Sequence, residues 1–393
     1  MVTVQPSQRV QRVKPSPTLA VTARAAELKA AGKDIIGLGA GEPDFDTPAH
    51  IKNAALKAIA EGKTKYTPVD GTPELKQAVI NKFSRDNGID YAPDQILVSC
   101  GGKQSFFNLA LALINPGDEV VIPAPYWVSY PDMVTIAEGK PVIVKATLEN
   151  RFKLTPEQLD AAITDKTRLV VLNSPSNPTG TAYTRQELEA LGDVLRKYPE
   201  VLVATDDIYE HILWSDEPFC NILMACPDLY DRTIVLNGVS KAYSMTGWRI
   251  GYCGGPAWLI KNMKKIQSQS TSNACSIAQA AATEALDGPQ DCVKVMLAAF
   301  KKRHDYVVAR LNELPGVTAI ESDGTFYAFP DFNEAMCTLD IQKDTDLAEI
   351  LLEKGVAMVP GSAFGAEGCM RLSYATSEKA LEAALDRLQD ALA

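Results

Sequence analysis

The sequence is poor in the residues that build metal and redox centres. It has three histidines among 393 residues, His50, His211 and His304, and none forms an HExxH motif or a short ligand pair. That pattern argues against a metal site. Eight cysteines are scattered at positions 100, 220, 226, 253, 275, 292, 337 and 369 without a CxxC pair. Several fall in apolar runs, as expected of reduced core cysteines in a cytoplasmic protein. No run of about 18 uninterrupted apolar residues is present, so a membrane span is not expected. The opening segment, MVTVQPSQRVQRVKPS, carries basic residues but no apolar centre, so no secretory signal is expected. Positive charge is in deficit: 39 Lys and Arg stand against 49 Asp and Glu, a net charge of −10. Nucleic acid is a poor partner for such a chain, because binding there rests on neutralising phosphates. Two familiar loops are also missing. GGKQS lacks the Walker A residues at Leu97 and Gln104, and GVSKA ends in Ala242 where a hydrolase elbow needs glycine.

What is present is the composition of a globular protein, 46% hydrophobic and 22% charged, long enough for one large or two ordinary domains. From residue 95 to residue 237, short β-branched runs end in Gly, Pro, Asn or Asp, and most lead into a helical pattern. The runs are QILVSC, EVVIP, PVIVKA, RLVVLN, VLVATD and TIVLN, with WRIGYC (248–253) expected as a further strand. TPEQ and TRQE fit capping boxes at helix starts. Alternating strands and helices predict an α/β fold with a mostly parallel sheet covered on both faces. Residues 46–288 are expected to form this large domain. Residues 289–393 predict a smaller α+β domain with helices over 293–314 and 377–392 and strands FYAFPD and MRLSYA. Residues 1–45 predict an arm, a helix over 21–31 and the first part of the smaller domain.

In an open parallel sheet, ligands bind outside the carboxyl ends of the strands. The residues just past those ends are Gly102, Lys103 and Gln104 at a helix start, Trp127, Asn177, Asp206, Tyr209, Ser240 and Lys241, with Arg249 beyond. Backbone N–H groups at a helix start, aided by Arg249, suit a phosphate. Trp127 offers a flat face, Asp206 a carboxylate for a ring N–H⁺, and Asn177 and Tyr209 donors for a ring oxygen. Lys241 is an amine whose basicity a dry, cationic setting would lower. Singly, each has a plainer reading as a loop lysine, a helix cap or packing. Together they suit one cofactor, a phosphorylated pyridinium aldehyde.

The stretches GAGEPDFDTP, KTKYTPVDGTPELK, SCGGKQ, PYWVSYPDM, NSPSNPTG, TDDIYEH, SKAYSMTGWRIGY and MRLSYAT span essentially the whole chain. Through them the sequence resembles the class I pyridoxal-phosphate aminotransferases of fold type I. It is most similar to the bacterial and plant branch of aspartate aminotransferases, some members of which also use prephenate. The resemblance implies a Schiff base between Lys241 and pyridoxal 5'-phosphate, with Lys241, Asp206 and Tyr209 catalytic. Asp206 would pair with the ring nitrogen, Tyr209 and Asn177 with the ring oxygen, and Trp127 would stack on the ring. Gly102, Lys103, Gln104, Ser240 and Arg249 would surround the phosphate, joined by Tyr66 of a neighbouring subunit in a homodimer. Arg371 would clamp the substrate α-carboxylate, with Asn177, Trp127 and the backbone near Gly41 beside it. Lys103 and Lys14 are the candidates for the distal carboxylate. Gly238 stands where many relatives have serine, so one phosphate contact is expected to be missing. The implied reaction moves an amino group from L-aspartate, or a related dicarboxylic amino acid, to 2-oxoglutarate. Aromatic or neutral amino-acid preference is the alternative. A non-catalytic ligand-sensing domain would need a DNA-binding segment, and the residues before Pro17 do not resemble one.

Overall fold

The computed structural model describes residues 4–393. Seven strands form the central sheet, in the spatial order Ile96–Ser99, Gly251–Gly254, Thr233–Gly238, Leu202–Asp206, Thr167–Asn173, Glu119–Ala124 and Lys140–Lys145. All run parallel except Gly251–Gly254, which is antiparallel to both neighbours. The inner strands are mostly apolar, with polar residues at their ends, because both faces are covered. Helices Gly102–Leu113 and Ala257–Ser268 pack on one face through Phe106, Leu109, Leu259 and Met263. Helices Ala49–Ala60, Pro73–Lys82 and Ser276–Asp287 pack on the other through Ile51, Leu75, Val79 and Ala281. Thr155 and Thr184 close the two capping boxes read from the sequence.

The remaining helices and strands build a second core. Helices Asp291–Leu311 and Glu378–Leu392 bury Phe300, Val307, Leu381 and Leu388 beside Phe326 and Leu372. Tyr327–Ala328, Met370–Ser373 and Val359–Pro360 form a small antiparallel sheet. Ile36–Gly37 pairs in parallel with Val356–Ala357, joining the beginning of the chain to this core.

The structure departs from the sequence reading in places. The last large-sheet strand begins at Gly251, not Trp248. Thr246–Trp248 form a single 3₁₀ turn, and Arg249 adopts a left-handed backbone, φ 56°, which no ladder residue can hold. In FYAFPD only Tyr327–Ala328 is strand, and Pro330 has no N–H to extend it. The expected helix 21–31 runs instead from Pro17 to Ala30, because Ser16 caps it and proline suits a first turn.

Candidate active site

At the carboxyl ends of the parallel strands lies a cavity of about 420 Å³. Register assembles much of its wall: Asn173 pairs with Asp206, and Asp206 with Leu236. From Leu236 the chain runs on through Ser240 to Lys241, both of which line the cavity.

The Lys241 Nζ donates a 2.6 Å hydrogen bond to the Gly41 carbonyl and lies 5.9 Å from the Tyr209 ring centre. Burial pushes this ammonium down to about 8, and the nearby charges of Arg371 and Arg249 act in the same direction. An amine so placed is available as a nucleophile or base near neutral pH.

Asp206 accepts a hydrogen bond from the Tyr130 hydroxyl at 2.5 Å and a weaker one from the Ile208 N–H at 3.3 Å. Burial raises its carboxyl, while the Tyr130 bond and the Lys241 charge oppose that rise. Asn173 ties the wall together: its Nδ2 donates to the Asp206 carbonyl at 2.8 Å, and its Oδ1 accepts from the Asn177 N–H at 2.8 Å.

Opposite stands Arg371, buried and with no acidic partner among the described residues. Its Nη1 donates to Asn177 Oδ1 at 2.9 Å and its Nη2 to the Gly39 carbonyl at 2.8 Å. Its Nε is buried without any partner. A buried guanidinium left in that condition suits an external anion. The Tyr327 ring lies beneath it, and the Tyr327 hydroxyl is 3.0 Å from that of Tyr209.

The third region is a backbone cradle. Gly101, at φ 90°, precedes helix Gly102–Leu113, and the Arg249 guanidinium lies against it. A Cβ on Gly101 would sit 2.2 Å from Arg249 Nη2, and one on Gly251 would sit 2.2 Å from the Gly102 nitrogen. Among the described residues Arg249 bonds only carbonyls, those of Thr246 at 2.9 Å and Cys100 at 3.4 Å. A helix N-terminus with an adjacent unpaired guanidinium fits a phosphate. Lys103 lies 5.1 Å from the Trp127 ring centre, and both line the cavity.

Gly41, Gly102, Lys103, Trp127, Asn177, Asp206, Tyr209, Ser240, Lys241, Arg249 and Arg371 all line this one cavity. Gln104 does not; its side chain binds the Cys100 N–H and Thr271. Lys14 lies near Asp132 outside the lining, and it is Ser16 with Thr18, Leu19 and Thr22 of helix Pro17–Ala30 that reach the cavity instead. Tyr66 is 94% exposed and contributes nothing to the cavity of its own chain. Gly238 is tightly enclosed, since a Cβ there would lie 3.0 Å from the Ile250 carbonyl. Serine at that position would crowd this backbone. Tyr130, Asn173 and Tyr327 escaped the sequence reading. Asn173 carried a signal, being the last residue of RLVVLN beside the end of VLVATD.

A family model described as "Aminotransferase class I and II" matches residues 33–388. The chain belongs to that family. Its cofactor is pyridoxal 5'-phosphate, and the buried amine, the orphan guanidinium and the backbone cradle fit such a group. A Nitrosomonas europaea protein named aspartate/prephenate aminotransferase is 61% identical, over 98% of this aminotransferase and 99% of its own length. A Cereibacter sphaeroides protein of the same name is 56% identical, over 98% and 97%. Among solved structures, an aspartate aminotransferase from Rhizobium meliloti matches with TM-score 0.96 and 50% identity, over 99% of each chain. One from Thermus thermophilus with maleate matches with TM-score 0.93 and 44% identity, over 99% of this chain and all of that one. The expected fold class, family and cofactor are thus borne out.

Proposed function

We propose that this aminotransferase moves the amino group of L-aspartate to 2-oxoglutarate, and that prephenate is a further acceptor. The observation that carries the reading is the buried Arg371, facing the same cavity as the Lys241 amine and the Lys103 ammonium. One fixed guanidinium and one cation across the cavity suit a substrate with two carboxylates. The names of the relatives from Nitrosomonas and Cereibacter support the same choice.

When bound, pyridoxal phosphate supplies an electron sink for the charge left by α-proton removal. The chain does the rest. Lys241 would be the residue that holds the cofactor, and its Nζ, when free, would take the α-proton and return it. Asp206, whose burial-driven rise in pKa the Tyr130 hydrogen bond opposes, would pair with the protonated ring nitrogen. Tyr209 and the Asn177 Nδ2 would serve the ring oxygen, and Trp127 would offer its face to the ring. The helix start at Gly102–Gln104, Ser240 and Arg249 would hold the phosphate. Arg371 grips the α-carboxylate in two hydrogen bonds, beside Asn177 and the Gly41 backbone, and so aims the α-proton at Nζ. Lys103 takes the distal carboxylate; Lys14, the second basic candidate, lies outside the cavity lining and is not assigned to it.

In this reading residues 46–288 form the cofactor-binding domain, and residues 1–45 and 289–393 close over the substrate. Tyr66 acts across a homodimer boundary in the cytoplasm, where the reduced cysteines are at home. Single-turnover conversion of the holoenzyme with Asp, Glu, Ala and Phe tests the proposal. Asp and Glu should react fastest; conversion of Ala or Phe at equal rates would sink the dicarboxylate reading.

A further inference from the structure

Behind the wall bearing Tyr209 lies a knot of buried polar groups that the reaction does not use directly. Lys82, Asn87, Glu210 and Asn237 are each at most 7% exposed. Lys82 ends helix Pro73–Lys82, and a single π-helical turn, Phe83–Asn87, follows. A continuing α-helix would set residue 86 above Lys82; the wider turn brings residue 87 round as well, with Asp86 Oδ2 3.9 Å from the Lys82 Nζ. The Lys82 Nζ accordingly donates to Asn87 Oδ1 at 2.7 Å while pairing with the Glu210 carboxylate. That carboxylate also accepts from Asn87 Nδ2 at 2.9 Å and from Asn237 Nδ2 at 2.7 Å. His211 Nε2 stands 3.5 Å from both Glu210 and Asp86, at the edge of the knot.

Its position matters more than its composition. The strands bearing Asp206 and Leu236 part just here: their register ends at Asp206–Leu236, with one further bond from the Asp207 N–H to the Leu236 carbonyl at 2.9 Å. Beyond that bond the Asn237–Glu210 contact ties the two departing segments together. Glu210 directly follows Tyr209, and Lys241 lies four residues past Asn237. Asn237 Oδ1 also accepts the Gly238 N–H at 2.7 Å, which fixes its amide for the bond to Glu210.

A buried ion pair is a weak source of stability, since apolar residues of similar volume often serve as well. What it does supply is a unique arrangement of the segments it joins. We infer that Glu210, acting through Asn237 and held by Lys82 and Asn87, is a positioning residue that sets the strand end bearing Lys241 against the loop bearing Asp206 and Tyr209. The inference rests on Lys241 being the cofactor-bearing residue.

Asn237→Ala tests it in the holoenzyme, because this change opens the tie while leaving Lys82 and Glu210 paired. Borohydride reduction should still leave a mass-shifted peptide containing Lys241. The kcat for aspartate should fall about tenfold with KM little changed, as misplaced reacting groups require. The pH midpoint of the bound cofactor's absorbance should move away from that of the parent. Glu210→Gln added to Asn237→Ala should lower kcat no further than Glu210→Gln alone; if Glu210→Gln does not fold, Asn237→Ala decides by itself. A variant with parental kcat and midpoint and only a lower melting temperature would overturn the inference. So would loss of the folded circular dichroism in Asn237→Ala, which would make the knot a folding element. A parent enzyme without a labelled Lys241 peptide would instead refute the cofactor reading beneath it.

Discussion

The Arg371 guanidinium lies 4.5 Å from the centre of the Tyr327 ring, and the hydroxyl of that ring meets Tyr209 at 3.0 Å. One aromatic side chain therefore supports the proposed carboxylate clamp with its face and the proposed catalytic tyrosine with its edge. The flat guanidinium is pinned by the ring, by Asn177 and by the Gly39 carbonyl, so its orientation is set before an anion arrives.

Arg371→Lys retains the charge but loses the planar fork. Each hydrogen bond to a charged group is worth about 1.5–3 kcal/mol, so kcat/KM for aspartate should drop at least about tenfold. Cofactor affinity should stay near the parental value, because the proposed role of Arg371 is toward the substrate. Steady-state kinetics beside a cofactor titration of the apoprotein checks both halves.

Tyr130→Phe removes the hydroxyl that donates to Asp206 at 2.5 Å. The buried carboxyl, already raised by desolvation, then rises further and is a poorer counter-ion for a ring N–H⁺. Loss of a charged hydrogen bond predicts about tenfold or greater weakening of cofactor binding. Equilibrium titration of the apoprotein reads it directly; unchanged affinity would remove Tyr130 from the site.

Lys241 sets a pH dependence whose sign follows from burial. Its folded value of about 8 lies below the ordinary 10.5, so the folded site prefers the neutral amine. Covalent capture of cofactor by the apoprotein should accelerate as pH rises and level off above about 8. Between those two values the unfolded chain holds the extra proton, so this group's contribution to stability increases with pH across the same window. Stopped-flow capture and chemical denaturation at pH 7 to 10 measure the two trends.

The large sheet was legible because strands buried on both faces read as continuous apolar runs, and its helices because Thr155 and Thr184 announce their caps. Trp248 and Arg249 read as strand for the same reason, yet Arg249 takes a positive φ and its guanidinium bonds the nearby Thr246 carbonyl and the distant Cys100 carbonyl. Tyr130 was hidden because a residue inside a helix reaches back to a strand end 76 positions on. Lys82 and Glu210 look like surface charges in sequence. Their burial makes sense only with Asn87 and Asn237 in place, and no local pattern brings those four together. Long-range polar pairing is the part of this site that periodicity does not encode.

Gly101→Ala is expected to damage the cradle in a way that a matched glycine change elsewhere does not. At φ 90° an alanine is strained, and its Cβ would stand 2.2 Å from Arg249 Nη2 and 2.8 Å from Cζ. Arg249 must then swing away from the helix start at Gly102, and the proposed phosphate site loses that guanidinium. Gly62 also has a positive φ, 72°, but nothing lies within 4 Å of its absent Cβ. Alanine there carries only the backbone cost, about 1–2 kcal/mol. The two variants should melt at lower temperatures than the parent, while cofactor affinity falls about tenfold or more in Gly101→Ala alone, consistent with a lost charged contact. Equal affinities in both would mean that Arg249 does not serve the phosphate.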